Sequence, residues 1–231
     1  MAHKIKINNK YIGDDEPVYL IAEIGINHNG DMQIAKKLMD ATWATGWDCV
    51  KFQKRTPDLC VPEGQKNLIR ETPWGKMTYL EYRHKIEFQK EEYDYINKYC
   101  GEKPLDWTAS VWDIPSVDFL LQYDIPFIKI PSAKLTDLEL IEKCAKSGKP
   151  VFLSTGMSTL QEIDNAVTIL EKHLGKNYVL FRYKFCLEKI LNHIFGIVCF
   201  LGFCNSLCRN QSLLLRSSAC LKIASRSYRI Q

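Results

Sequence analysis

The sequence predicts an α/β protein, a (β/α)8 TIM barrel with about six βα units recognisable and a short N-terminal hairpin in front of them. Three observations carry that expectation. Apolar strand-like runs alternate with amphipathic helical stretches as far as residue 181, which calls for a parallel sheet covered by helices. From Thr108 onward the strand centres (Thr108, Ile128, Phe152, Val179) recur at roughly the spacing of one βα unit. No Gly-x-Gly-x-x-Gly follows the first strand of the series, which disfavours the open doubly wound alternative.

The elements follow in order. "KIKINNK" alternates apolar and polar residues and turns at Asn8-Asn9, giving the hairpin; the N-terminus has no apolar run of secretion-signal length. "VYLIAEIG" (18–25) reads as a buried strand, and "DMQIAKKLMDATWATG" (31–46) as an amphipathic helix capped by Asp31, with Trp43 and Trp47 in the core. Asn29-Gly30 supplies turn chemistry between them. "DCVKFQ" (48–53) is the next strand. A long polar loop, 54–85, then leads to a helix over 89–101. The tyrosines of "MTYLEYRHKIEF" are placed to line a lid, because ordered loops this long usually have a function. "DWTAS" (106–110) is a strand and 113–124 a helix, with Asp113 capping and Pro115 in the first turn. "PFIKIPS" (126–132), "PVFLSTG" (150–156) and "NYVLFR" (177–182) are strands. The helices between them open with two expected capping boxes, Thr136-x-x-Glu139 and Ser158-x-x-Gln161.

Bulk composition narrows the class. The chain has 231 residues, 46% hydrophobic and 25% charged, as in a soluble globular protein. Its nine cysteines show no zinc spacing and read as reduced thiols of a cytoplasmic protein. Residues 1–181 carry no basic stripe, so a nucleic-acid partner is not expected. Residues 182–231 differ in kind: eight Lys/Arg stand against Glu188 alone, five cysteines fall there, and no proline does. "ILNHIFGIVCFLGFC" within it is too short and interrupted for a membrane span, so no membrane partner is expected. The expected division is therefore 1–181, the N-terminal part of a barrel, and 182–231, a divergent basic tail rich in Cys, Ser and Leu.

Barrel chemistry sits where strands exit into the βα loops. Those ends supply Glu23; Lys51 and Gln53; Thr108 and Ser110; Lys129 and Ser132; Ser154 and Thr155. Residues two apart on a strand share a face, so Lys51 with Gln53, and Thr108 with Ser110, point the same way. Lys51 and Lys129 are each flanked by apolar residues, and a lysine is almost never fully buried unless paired. Glu23 is the one acid among these ends. The positive surplus points to an anionic ligand, such as a phosphate held by the lysines and hydroxyls. Two structural ion pairs are the bland alternative, and a Schiff-base lysine is the competing chemical use. Asn27 and His28, in the loop after the first of these strands, are candidate ligand contacts; a histidine bonded only to backbone is an equal alternative for His28.

Five stretches, "IAEIGINHNGD", "VKFQ", "RETPWGKMTYLEYR", "FIKIPSA" and "LSTGMSTLQEI", resemble the N-acetylneuraminate (sialic acid) synthase family across about residues 17 to 180. The resemblance implies a transferase of carbohydrate biosynthesis that condenses phosphoenolpyruvate with an N-acylmannosamine-type sugar and releases phosphate. It implies Lys51, Thr108, Lys129, Ser132 and Ser154 as the phosphoenolpyruvate-holding set. Glu23 and Gln53 would face the condensing centre and the sugar, with Ser110, Asn27 and His28 as further substrate contacts. It further implies a homodimer, a second C-terminal domain reaching over from the partner subunit, and a divalent metal, Mn or Mg. No metal ligands are nominated, because the family's histidines have no counterparts and His193 lies in the wrong context. The chain departs from the family at Lys134, where many members carry a glutamate, and again after strand six. There it reads "LFRYKFCLEKILNH", as from a shifted frame or across a splice boundary, so a truncated or frame-altered member is expected. Two alternatives remain open: an inactive homologue that binds phosphoenolpyruvate or a full-length partner, and a Schiff-base barrel aldolase.

Overall fold

Side chains alternate between the two faces of a strand, and along this chain that rule sorts the apolar residues into two separate cores. The computed structural model describes residues 4–13, 15–181 and 201–202. β1 (Lys4–Ile7) and β2 (Lys10–Gly13) form the antiparallel hairpin, turned by Asn8 at φ 48°. β3 (Ile21–Gly25), α1 (Met32–Ala44) and β4 (Cys49–Lys54) make the first βα unit. The chain then leaves the sheet for α2 (Pro57–Cys60), α3 (Glu63–Lys66), the hairpin of β5 (Ile69–Thr72) and β6 (Gly75–Thr78), and α4 (Tyr79–Ile86). It returns through α5 (Lys90–Gly101) to β7 (Asp106–Val111), α6 (Ile114–Leu120), β8 (Ile128–Ile130), α7 (Leu138–Lys146), β9 (Val151–Ser154), α8 (Leu160–Leu174) and β10 (Tyr178–Phe181).

Strands β3, β4, β7, β8, β9 and β10 lie side by side in chain order, every adjacent pair parallel, as the curled part of an incomplete (β/α)8 barrel. Residues 201–202 form a short further strand. The remainder of the basic tail, 182–231, lies outside the described residues.

The helix-facing residues of the strands, among them Ile24, Val50, Phe52, Ala109, Ile130 and Leu153, pack under the helices as the larger core. The inward-facing residues nearest the strand starts form the smaller one. Ile21, Cys49, Phe127, Phe152 and Phe181 meet Ile5, Ile7 and Ile12 of the hairpin, which plugs this end. Polar ties fasten the plug. Asn8 and Tyr19 both donate to the Asp106 carboxylate at the start of β7, at 2.7 and 2.5 Å, and Lys10 pairs with Asp48.

Several expectations are corrected in detail. The segment 54–85 is ordered into two short helices, a hairpin and α4 rather than a plain loop. Helix α7 is capped by Asp137, not Thr136, and α8 by Thr159 with Glu162 closing the box, one residue past Ser158 and Gln161. Each true cap is the residue whose oxygen reaches the free N–H three positions on. Trp47 is buried as expected, but Trp43 is 45% exposed, its ring covered by the Lys103 ammonium at 4.0 Å. Asp31 and Asp113 do cap α1 and α6.

The loop after β3 is held by backbone geometry. Gly30 has φ +70°, and a Cβ there would stand 2.4 Å from the carbonyl oxygen of Lys85 at the end of α4. Gly46 has a similar φ of +74° but open space around it. Gly30→Ala should therefore cost more than about 2 kcal/mol, and Gly46→Ala only about 1. Urea unfolding of both variants reads the difference; equal losses would show that the loop yields to the added methyl.

Candidate active site

The inward-facing residues just above the aromatic floor are polar on β3, β4, β7, β8 and β9. The register puts Glu23 beside Lys51 and Ser110 beside Lys129. Lys51 Nζ stands 3.6 Å from Glu23 Oε1 and donates to Ser110 Oγ at 2.7 Å. Lys129 Nζ donates to Ser154 Oγ at 2.7 Å and to the Ile130 carbonyl at 2.8 Å, and lies 5.6 Å from the centroid of the Phe181 ring. Glu23, Lys51, Ser110, Lys129 and Ser154 thus form one belt across β3, β4, β7, β8 and β9. Both lysines are only 3% exposed.

The electrostatics follow from that burial. Desolvation disfavours each ammonium, and the second positive charge works in the same direction on Lys129, whose pKa falls to about 7; Glu23 opposes the shift. Lys51 is also lowered by burial, against the pull of Glu23. Among the described residues two buried cations share one carboxylate, an arrangement that suits an anionic ligand.

The other sequence candidates have varied positions. Thr108 is fully buried and its hydroxyl donates to the Phe127 carbonyl at 2.7 Å, joining β7 to the start of β8. Ser132 lies in the 3-10 turn Ser132–Lys134 after β8, beside Gly156 of the β9 exit. Thr155 bonds the Phe181 carbonyl through both its N–H and its hydroxyl. Gln53 packs against Gly25, where β3 shifts register against β4, and accepts from Arg55 Nη2 at 2.7 Å. A register shift at a barrel rim re-aims the side chains beside it. Asn27 is half-buried in the loop beyond. His28 is buried and stacked on Phe88 with ring centroids 3.7 Å apart, and its Nδ1 accepts from the Gly30 N–H. Burial pushes its pKa down to about 4, so it is neutral and serves to shape the loop. Lys134 pairs with Asp137 at 2.9 Å. Among the described residues no group of three or more His, Cys, Asp or Glu side chains is placed to hold a metal ion.

Sequence reasoning missed Arg55 and Arg83 beside this site. The period-two pattern that joins Lys51 to Gln53 extends to Arg55 and could have found the first; nothing in the local sequence marks the second.

The model of the NeuB family matches residues 38–185. The chain belongs to the NeuB family. It is 38% identical over 169 residues to the N-acetylneuraminate-9-phosphate synthase of Drosophila melanogaster, covering 71% of this chain and 45% of the relative. It is 32% identical over 184 residues to the N,N'-diacetyllegionaminic acid synthase of Legionella pneumophila, covering 77% and 51%. A crystal structure of the N-acetylneuraminic acid synthetase of Leptospira borgpetersenii, in complex with citrate, superposes with a TM-score of 0.69 at 27% identity. That match covers 79% of this chain and 59% of the other. This NeuB-family chain therefore spans about half the length of the curated relatives it matches.

Lys129 has a signature in stability. Its pKa is lowered on folding, so the unfolded chain binds more protons between about pH 7 and 10.5, and stability rises with pH through that window. Lys129→Met removes the buried charge. The variant should exceed the parent by about 1–3 kcal/mol at pH 6, with the gap closing near pH 10. Urea unfolding at both pH values measures it, and a gap independent of pH would contradict the lowered pKa.

Proposed function

We propose that the chain carries the phosphoenolpyruvate-holding half of a synthase that condenses phosphoenolpyruvate with an N-acylmannosamine-type sugar and releases phosphate. The observation that carries this reading is the Glu23–Lys51–Ser110–Lys129–Ser154 belt at the strand exits, in a family whose named relatives make sialic and legionaminic acids.

In the proposal Lys51 and Lys129 hold the phosphate and carboxylate of phosphoenolpyruvate, with Ser132, Ser154 and Ser110 donating around them. Binding a dianion reverses the burial penalty on Lys129, which takes up a proton. The enol carbon attacks the sugar's aldehyde carbon, forming the C–C bond as the C=O π bond opens and its oxygen takes a proton from water, and leaving positive character at C2. The Glu23 carboxylate faces that charge and stabilises it. Water then adds at C2, the bond to phosphate breaks, and a 2-keto acid remains. Gln53 sits on the sugar side of the lysines. Thr108 would act through the strand geometry it secures, and Asn27 and His28 through the loop they shape. The divalent metal that the family resemblance implies has no ligand set among the described residues, and each step given is carried by protein side chains.

The same reading favours the cytoplasm, with support from the four unpaired cysteines among the described residues, Cys49, Cys60, Cys100 and Cys144. No described helix is long and apolar enough to cross a membrane. A homodimer is part of the proposal on family grounds alone.

Incubating the folded full chain with phosphoenolpyruvate, N-acetylmannosamine and Mn²⁺ should release phosphate. Glu23→Gln should cut that rate by about a hundredfold or more while phosphoenolpyruvate still binds. Lys129→Ala should weaken phosphoenolpyruvate binding at least about tenfold. Calorimetric titration separates the two roles, and unchanged affinity in Lys129→Ala would remove the lysine from the phosphate cradle.

A further inference from the structure

Holding an anion uses Lys129 as a cation, yet its surroundings also fit it for work as a nucleophile. Its Nζ donates to Ser154 Oγ at 2.7 Å and to the Ile130 carbonyl at 2.8 Å. A neutral amine has two N–H groups, as many as those two acceptors take, and its lone pair is the nucleophile. The side chain is 3% exposed, with the centroid of the Phe181 ring 5.6 Å from Nζ. Burial is the largest influence on its charge. Lys51 of β4 also disfavours the ammonium, and Glu23 of β3 favours it. With its pKa lowered to about 7, about half of Lys129 is neutral at pH 7, against fewer than about one in a thousand for an ordinary lysine.

The belt supplies the rest of an acyl-transfer site. Ser110 is the register partner of Lys129 on β7 and accepts from the Lys51 ammonium at 2.7 Å, which ties the second cation to the strand beside the amine. A phosphate dianion held at Lys51 therefore comes next to Lys129. The matching reactant is small, carries a phosphate, and presents an electrophilic carbon one oxygen away from phosphorus. Acyl phosphates meet all three conditions. They share with phosphoenolpyruvate a trigonal carbon joined through oxygen to phosphate, but theirs is a carbonyl carbon open to attack by an amine.

We propose that Lys129 is a self-acylation site: a small acyl phosphate docks in the belt and passes its acyl group to the Lys129 nitrogen. The neutral amine attacks the carbonyl carbon and an N–C bond forms. The C–O bond to phosphate breaks, and the proton shed by nitrogen leaves on the phosphate, so the products are an amide and inorganic phosphate. Lys51 holds the departing phosphate. Acylation turns a titratable amine into a neutral amide, which removes one of the two cations of the belt and switches the anion site off. Neither the sugar nor the condensation of the synthase reading is needed for this step.

Peptide mass spectrometry on the full chain, treated with acetyl phosphate and in parallel with acetic anhydride, tests the assignment. The exposed Lys37 of α1 is the internal reference. Acetic anhydride carries no phosphate, so it reads access and reactivity without docking. The ratio of acetylation at Lys129 to that at Lys37 should be at least about tenfold higher with acetyl phosphate than with the anhydride. Inorganic phosphate should slow acetylation of Lys129 by acetyl phosphate and leave Lys37 unchanged. As pH rises, the Lys129 rate should level off above about pH 8, where the amine is already neutral. Lys51→Met should cut that rate about tenfold or more in protein with native circular dichroism. Equal ratios for the two reagents, or a Lys129 rate that inorganic phosphate does not touch, would overturn the proposal. Failure of phosphoenolpyruvate to bind would count against the synthase reading alone, since no arm of this test uses it.

Discussion

The structure is organised around the cost of keeping two ammonium groups inside a barrel. Lys51 and Lys129 are both almost wholly buried, and among the described residues the single carboxylate in their belt is Glu23. An interior of low polarity penalises that excess charge strongly. The fold tolerates it because each ammonium has fixed acceptors, Ser110 for Lys51, and Ser154 with the Ile130 carbonyl for Lys129. These acceptors are held in place by strand pairing, and being neutral they leave, among the described residues, an electrostatic deficit at the place where strands open into loops.

The rest of the chain keeps that deficit in position. Below it, Phe127, Phe152 and Phe181 pack with the isoleucines of the N-terminal hairpin into an apolar floor. Asp48 and Asp106, at the strand starts, tie the hairpin down, so acidic side chains that could have neutralised the lysines are committed at the opposite end. Beside the belt, the excursion between β4 and α5 raises a wall whose positive groups stack on aromatic rings, Arg55 on Trp112 and Arg70 and Arg83 on Tyr79. Gly30 lets the loop after β3 approach that wall more closely than any side chain would permit. Cations recur on the side where the loops gather, and the floor is apolar.

Much of this was legible in the sequence because it depends on periods of two and 3.6. The six strands, their order as βα units, and the polar tips Glu23, Lys51, Ser110, Lys129 and Ser154 all follow from alternation within a run. Features that depend on one residue's reach are less legible. Thr136 and Ser158 satisfy a capping pattern as well as Asp137 and Thr159 do, and which oxygen meets the free N–H is decided by where the helix starts. Trp43 reads as core from its helix, yet it lies at the edge of the apolar stripe under Lys103. Thr108 shares a face with Ser110, but its hydroxyl is spent on the Phe127 carbonyl, a partner no spacing within β7 could name.

The parallel α/β class, the strand series and the residues at its tips can be read from the amino-acid order, since these rest on local periodicity and on the poor fit of a lysine in an apolar run. Tertiary structure alone decided that Lys51 and Lys129 draw on one carboxylate, that His28 is held neutral against Phe88, and that Arg83 of a distant helix comes beside Arg55. Those outcomes depend on distances between segments far apart in the chain. Such distances are set by sheet curvature and helix packing, which no short window of residues encodes.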